Sequence, residues 1–483
     1  MGNDKEVPRR QFARHVSRVR PPHLVLLAIS IVVWLTYAPV LFSTYGYVDD
    51  YSFLQKGWGL LQQIIEGGRP LSAFCELPLF SIFHSVPDLS YVRLFGLFAA
   101  IVFAWTLFVI ATRQGLGLIL SGCYAVSAVT LPPYQIYVAW AVLAVAPLAS
   151  AAAAFSAYLA FSGQGRYSAI LSGLLFLTAL LIYQPAAMSF FSVIPLVLYS
   201  KDRTGQMSWG RFKTPASVAL AALSLAFLFI KLSPVVFYGG ASFPRATLTS
   251  HYLGKARWFF SQPLPHAASL YVVPYIGDHL TLLALWATIL VLASLGNGKS
   301  SAIPQGVLFL ALIPLSYMPN LAVHGNWASN RTLAGLELLL LTIFLLASDI
   351  LNSLSIERFG SILLIGLTAY GAFVAQYNIM KEFVGPNSME WAYVINSVRD
   401  LHLGKKDVLC VKRSSWHDSL APFTSYDDFG IPAGYPAWSA RGIVHDAWQS
   451  THERPVHIRL YKKGAVCSRT LRLSEIRGYR TAE

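Results

Sequence analysis

Charge is what this chain has least of. Asp, Glu, Lys and Arg make up 12% of its 483 residues, about half the ~25% of an ordinary soluble domain. That scarcity excludes a string of soluble domains as the reading of the length. Hydrophobic residues reach 55% and the mean hydropathy is +0.51, so most of the chain belongs in lipid, where helices must satisfy their own backbone groups. Cysteine is scarce as well: there are four, with no CxxC and no His/Cys metal-ligand spacing. Internal repeats and low-complexity linkers are absent. The net charge is +14 with a pI near 9.6. Much of it sits in short connections between apolar runs, as topology determinants do, which argues against a nucleic-acid partner.

Apolar segments recur at about 24–42, 89–112, 115–131, 137–161, 167–183, 185–199, 214–232, 279–296, 303–322, 332–351 and 359–378. Each is near spanning length, which predicts about eleven membrane helices. The stretch "LSAFCELPLFSIFHSV" (71–86) is a candidate to dip into the membrane as well. The basic amino terminus, residues 1–23 with "VPRRQFARHVSRVRPPH", precedes a run too long for a cleaved signal, so it reads as cytoplasmic and the first helix as uncleaved. With that start, Arg113, Arg166, "KDRTGQMSWGRFK", Lys299 and Arg358 all fall in inside connections. The carboxyl end is then outside, and the larger outside regions are 44–88, 233–278 and 379–483.

The last region changes character. "KKDVLCVKRSS" and "VHIRLYKKGAV" read as short strands, and "SMEWAYVINSVRDLH" has helical spacing. The expected architecture is an all-α polytopic membrane domain over 24–378 with a small α+β extracytoplasmic domain over 379–483. If that domain lies outside the cytoplasm, Cys410 and Cys467 are candidates to pair. Cys75 is then an unpaired thiol, and Cys123 lies in an apolar segment.

The first outside region holds "YGYVDDYSFLQKGWGLLQQIIEGGRPL" (45–71). Asp49 and Asp50 in that position can simply mark a helix end at the water interface. Surrounding aromatics would shield a carboxylate and make it a better base. Leu54, Trp58, Leu61, Ile64 and Ile65 form an apolar stripe suited to a helix in the headgroup plane. In "GGRP" the glycines allow a sharp turn and Pro70 favours an extended Arg69. Arg69 is placed to meet a phosphate or an aspartate, or to snorkel to headgroups.

This stretch resembles the first outside loop of the bacteriophage-type serotype-conversion glucosyltransferases and their bacterial relatives, in which an Asp-Asp pair is followed about twenty residues later by Gly-Arg-Pro. That family belongs to the GT-C class of polytopic glycosyltransferases, which use polyprenyl-phosphate sugars. The resemblance covers the loop in detail and the rest in layout. It implies a bacterial inner-membrane enzyme that moves a sugar, glucose first among candidates, from polyprenyl phosphate to a surface glycan such as O-antigen. Transfer would occur on the periplasmic face with inversion, and a companion flippase and a donor-synthesising enzyme would be partners. The rival from another class is a transporter or flippase of lipid-linked saccharides.

Transfer needs a base for the acceptor hydroxyl and cations for the departing phosphate. Asp49 and Asp50 are the candidate catalytic acids. The second of the pair would orient the first, bind a sugar hydroxyl or hold a divalent cation, the one cofactor entertained. Arg69, His251, Lys255, Arg257 and Arg331 fall in expected outside loops and are the candidate phosphate and sugar ligands. "SHYLGKARWFF" reads equally as an interfacial aromatic belt. Glu337, about two turns into a span, is a functional acid by default or half of a structural ion pair. Asp427 and Asp428 in "SYDDFGIPAGYPAW" read as a surface turn, and Trp416, Trp438 and Trp448 as candidate glycan contacts.

Overall fold

The computed structural model describes residues 22–56, 58–163, 165–199, 209–238, 247–273, 279–295, 302–353, 358–404, 406–462 and 466–476. The basic amino terminus up to residue 21, Lys299 and most of "KDRTGQMSWGRFK" lie outside them, as do the side chains of Trp58 and Leu61.

Among the described residues six helices are long and apolar enough to cross a membrane: Pro22–Leu41 (α1), Leu89–Arg113, Ala141–Ser162, Lys213–Ser233, Ala334–Ser353 and Phe359–Arg399. The protein is membrane-embedded. The expectation of about eleven spans is not confirmed: six described helices have full length, and the remaining apolar helices are shorter. The cause is local. The Leu118–Val129 helix has 12 residues, or about 18 Å, well short of a ~30 Å hydrocarbon core. The 184–198 segment is cut into Gln184–Ala187, Ser189–Ser192 and Ile194–Leu198, with Pro185 and Pro195 each opening a new piece because proline lacks the N–H a continuing helix needs.

The core centres on Ala334–Ser353, whose apolar window is 83% buried, against 28% for α1 and for Lys213–Ser233 at the periphery. α1 is apolar all round, so packing and not composition selects its inner face. Ile29, Val33, Tyr37 and Val40 are buried at spacings of four and three, and Leu27, Ile31 and Leu35 face outward. The Tyr37 hydroxyl donates to the Val129 carbonyl at 2.6 Å, which ties α1 to the Leu118–Val129 helix.

After α1 come three short helices: Asp50–Lys56 (α2), Trp58–Glu66 (α3) and Pro70–Ile82 (α4), then α5 at Leu89–Arg113. The single amphipathic helix expected after the aspartates is therefore two. Ile64 and Ile65 are buried in the protein, and α2 meets the Ala437–Thr451 helix, where Gln55 donates to the Gly442 carbonyl at 2.9 Å. These faces are covered by protein and do not lie on headgroups.

Phe359–Arg399 runs 41 residues, about 60 Å and twice the bilayer core. It passes through a π-helical turn at Ile379–Val384. The expected domain boundary near 379 falls inside this helix, so a rigid element joins the two parts. Its outer half packs on Ala437–Thr451. Beyond it lies a three-stranded parallel sheet of β1 (Val408–Lys412), β2 (His457–Leu460) and β3 (Arg469–Arg472), in the order β2-β1-β3. Leu409 pairs with Ile458 on one side and Arg469 on the other. The middle strand is accordingly the most apolar, with Leu409, Cys410 and Val411 buried. Cys410 is disulfide-bonded to Cys467, while Cys75 is free and exposed and Cys123 free and half-buried.

Candidate active site

The "YGYVDDY" loop is pinned by its three tyrosines, all fully buried. The Tyr45 hydroxyl donates to the Ala139 carbonyl at 2.9 Å, the Tyr47 hydroxyl to the Asp428 carbonyl at 3.0 Å, and the Tyr51 hydroxyl accepts from the Gly46 amide at 3.2 Å. Gly46 is required here, because a Cβ would stand 2.7 Å from the Tyr51 ring. Val48 has φ of +38°, a left-handed strain that a β-branched residue rarely bears and that concentrates at functional sites. The segment is a turn entering α2 and not an extended strand, and the turn is what sends the two carboxylates apart.

Asp50 goes inward. It is fully buried and 3.5 Å from the equally buried Arg93 guanidinium of α5. It also accepts from the amides of Tyr47 at 2.9 Å and Val142 at 3.2 Å. Arg93 donates to the carbonyls of Tyr45 at 2.6 Å and Ala139 at 3.0 Å, and lies 3.6 Å from the Tyr45 ring. Burial lifts the Asp50 carboxyl to about 6, against the pull of Arg93 and both amides. Both oxygens are occupied by the protein, so Asp50 is neither a base nor a metal ligand in this geometry. Among the described residues no group of three or more His, Cys, Asp or Glu could hold a metal.

Asp49 goes outward and is half-buried. Its Oδ1 accepts the indole N–H of Trp438 at 2.7 Å, and Oδ2 has no hydrogen-bond partner among the described residues. Burial raises its carboxyl above the ordinary value, against the Trp438 bond and the charge of Arg331. Asp427 and Arg69 are within electrostatic reach as well. Asp49 is the carboxylate of the pair that is free to act.

Arg69 arrives at this cluster through the "GGRP" turn. Gly68, at φ +77°, ends α3, with its amide donating to the Ile65 carbonyl and the Arg69 amide to that of Ile64. Pro70 then opens α4. The arginine between them adopts φ −126° and ψ 57°. Its guanidinium lies 5.6 Å from the Tyr183 ring, and no carboxylate pairs with it among the described residues. It is a cation held ready by an aromatic face.

Arg331 also reaches the cluster but is already paired. Its guanidinium is 2.6 Å from Asp427 and 2.7 Å from Asp428, and it sits 5.1 Å from the Trp140 ring. Asp427 and Asp428 are therefore not a free surface turn: Asp428 is fully buried. Burial works against the Arg331 cation, and the two aspartates outweigh it. Burial also raises Asp427, but Arg331 leaves it below the ordinary value. This pairing straps the carboxyl-terminal region to the Asn330–Thr332 turn at the mouth of the membrane core. Asp428→Asn is expected to cost about 1–3 kcal/mol by weakening one charge-assisted contact to Arg331, which keeps Asp427 as its counter-ion. Limited proteolysis checks it, with faster cleavage after residue 399 as the expected result.

Of the remaining candidates, His251, Lys255 and Arg257 lie at or on the Tyr252–Ser261 helix, which meets the loop before the Asn330–Thr332 turn. His251 and Arg257 are exposed, and the Lys255 amine donates to the Gly325 carbonyl at 2.6 Å and lies 4.3 Å from the Trp258 ring. Burial brings Lys255 down to about 8. The His251 ring is 6.4 Å from that of His324. Glu337 is buried, its Oε2 has no hydrogen-bond partner among the described residues, and it is within electrostatic reach of Tyr134 and Tyr271. It forms no ion pair with Arg331. Arg93 is the site residue that sequence reasoning did not name, and Asp427 and Asp428 are the two that it read as a surface turn. A lone arginine one turn into the 89–112 run was the available signal for Arg93. The chain matches no family model and no curated protein.

Proposed function

We propose that this protein is a membrane glycosyltransferase of the GT-C kind, as the "YVDD" and "GGRP" loop suggests. It would transfer a sugar, glucose by that resemblance, from a polyprenyl-phosphate donor to a surface glycan such as O-antigen, on the periplasmic side of a bacterial inner membrane. The observation that carries this reading is the Asp49 carboxylate, within electrostatic reach of Arg69, where among the described residues one Asp49 oxygen is unengaged and Arg69 has no carboxylate partner.

In the proposed step an acceptor hydroxyl attacks the anomeric carbon as its proton passes to Asp49. The bond from that carbon to the phosphate oxygen breaks, and the electron pair leaves with the polyprenyl phosphate, whose charge Arg69 meets. Attack opposite to departure inverts the anomeric centre. Arg331, neutralised by its own aspartates, shapes the site and is not the phosphate ligand. Asp50 and Arg93 hold the loop so that Asp49 is presented at a fixed height.

Proteoliposomes loaded with radiolabelled polyprenyl-phosphate glucose and an acceptor oligosaccharide test the reading. A new alkali-stable glycosidic product is expected. Label that crosses the bilayer without such a bond identifies a flippase and removes the enzyme. Arg69→Ala is expected to weaken donor use by roughly 10- to 100-fold, the worth of about 1.5–3 kcal/mol for a charge-assisted contact. Arg69→Lys should recover part of it as a point charge.

A further inference from the structure

Two exposed tryptophans flank the carboxylates of this site. Trp438, near the start of the Ala437–Thr451 helix, is 56% exposed and spends its indole N–H on Asp49 Oδ1 at 2.7 Å. Trp327, in the loop before the Asn330–Thr332 turn, is 44% exposed and donates to Asp427 Oδ1 at 3.2 Å. Tyr47, two residues before Asp49, donates to the carbonyl of Asp428, next to Asp427, at 3.0 Å, and Asp49 and Asp427 are in electrostatic reach of one another, so the two aromatic and carboxylate pairs sit on adjoining segments. We infer that Trp327 and Trp438, with Asp49 and Asp427, form a saccharide subsite for a neutral hexose unit of an acceptor glycan.

The chemistry favours a sugar over the alternatives. A tryptophan of an interfacial belt keeps its polar edge for headgroups and water. Here both polar edges are turned to protein carboxylates, which fixes the rings and leaves apolar surface uncovered. A pyranose presents a C–H face to stack on such a ring and hydroxyls at its rim. The unengaged Asp49 Oδ2 can accept from a hydroxyl, which is also the geometry that primes that hydroxyl for deprotonation. Asp427 at the rim is paired with Arg331, so the charge that disfavours a uronate is that of Asp49, since like charges brought together cost affinity. The other aromatic candidates do not fit. Trp448 is buried, stacked 3.9 Å from His452, and Trp416 is half-buried with its N–H on Thr424. Naming the sugar an acceptor rests on the transferase reading, whereas binding does not.

Full-length protein in nanodiscs, free of sugar detergents, titrated with tetrasaccharides of glucose, galactose or rhamnose and with tetragalacturonate, tests this. At least one neutral tetrasaccharide should bind in preference to the uronate. Trp438→Ala and Trp327→Ala should each weaken that binding roughly tenfold, with Phe at either position retaining more than Ala. Absence of neutral-sugar binding, equal binding by folded Ala variants, or uronate preference overturns the subsite. So does quenching of both tryptophans by brominated phospholipid, which assigns them to the bilayer. Should the Ala variants not fold, the Phe variants and the neutral-over-uronate preference decide. Loss of transfer in Asp49→Asn without any sugar binding removes the subsite alone; binding without transfer removes the enzyme alone.

Discussion

Asp49→Asn is expected to lower sugar transfer by about 10²- to 10⁴-fold, the usual worth of a positioned general base, in protein that folds and melts as the native form does. Asparagine keeps the acceptor for the Trp438 N–H and removes the basic oxygen. Stability should hold or rise for a separate reason. Burial raises the Asp49 carboxyl in the folded protein above its unfolded value, so its linkage contribution is present at low pH and is lost as pH rises through the folded value. At neutral pH the ionised group is therefore a cost that asparagine does not carry. The proposed transfer runs the opposite way, because only the ionised form takes a proton. Transfer should fall as pH drops through the raised value, with an acid limb above that of an ordinary exposed aspartate. A pH–rate profile measured in proteoliposomes checks it, and an acid limb at or below the ordinary aspartate value would count against Asp49 as the base.

Arg93→Leu is expected to do the reverse, destroying the fold before the chemistry. It strips the counter-ion from a fully buried Asp50 and releases the carbonyls of Tyr45 and Ala139. Breaking a buried pair in this way costs about 3–5 kcal/mol. Asp50→Asn leaves the Arg93 cation uncompensated and should cost a comparable amount. The double variant removes both charges, so its loss should be well below the sum of the singles. Thermal unfolding of purified protein, read as retained monomer, supplies all three values. Additive losses would mean that the 3.5 Å pair contributes nothing specific. Taken with Asp49→Asn, the series separates two neighbouring aspartates into one that reacts and one that holds.

The loop around these aspartates was the most legible part of the chain, because its signals are local. Gly68 and Pro70 bracket Arg69 within three residues, and one turn geometry follows from their backbone limits. Strand and helix character after residue 379 was legible for the same reason. The number of full spans was not. Hydropathy counts apolar residues, whereas prolines at 185 and 195 and the stop near Thr130 set how far each helix runs. The pairing of Arg331 with Asp427 and Asp428 spans 96 and 97 positions, and no periodicity reports a contact at that distance.

Composition and local pattern alone determined that this protein lives in a membrane, carries an α+β tail and presents two acids and an arginine in one loop. Those properties depend on apolar content and on backbone freedom within a few residues. Tertiary structure alone decided which acid is free, because Asp49 and Asp50 are chemically identical and differ only in their neighbours. Burial, Arg93 and two amides claim one carboxylate, while the other keeps an oxygen open within electrostatic reach of Arg69. That difference in environment cannot be written in a pair of adjacent letters.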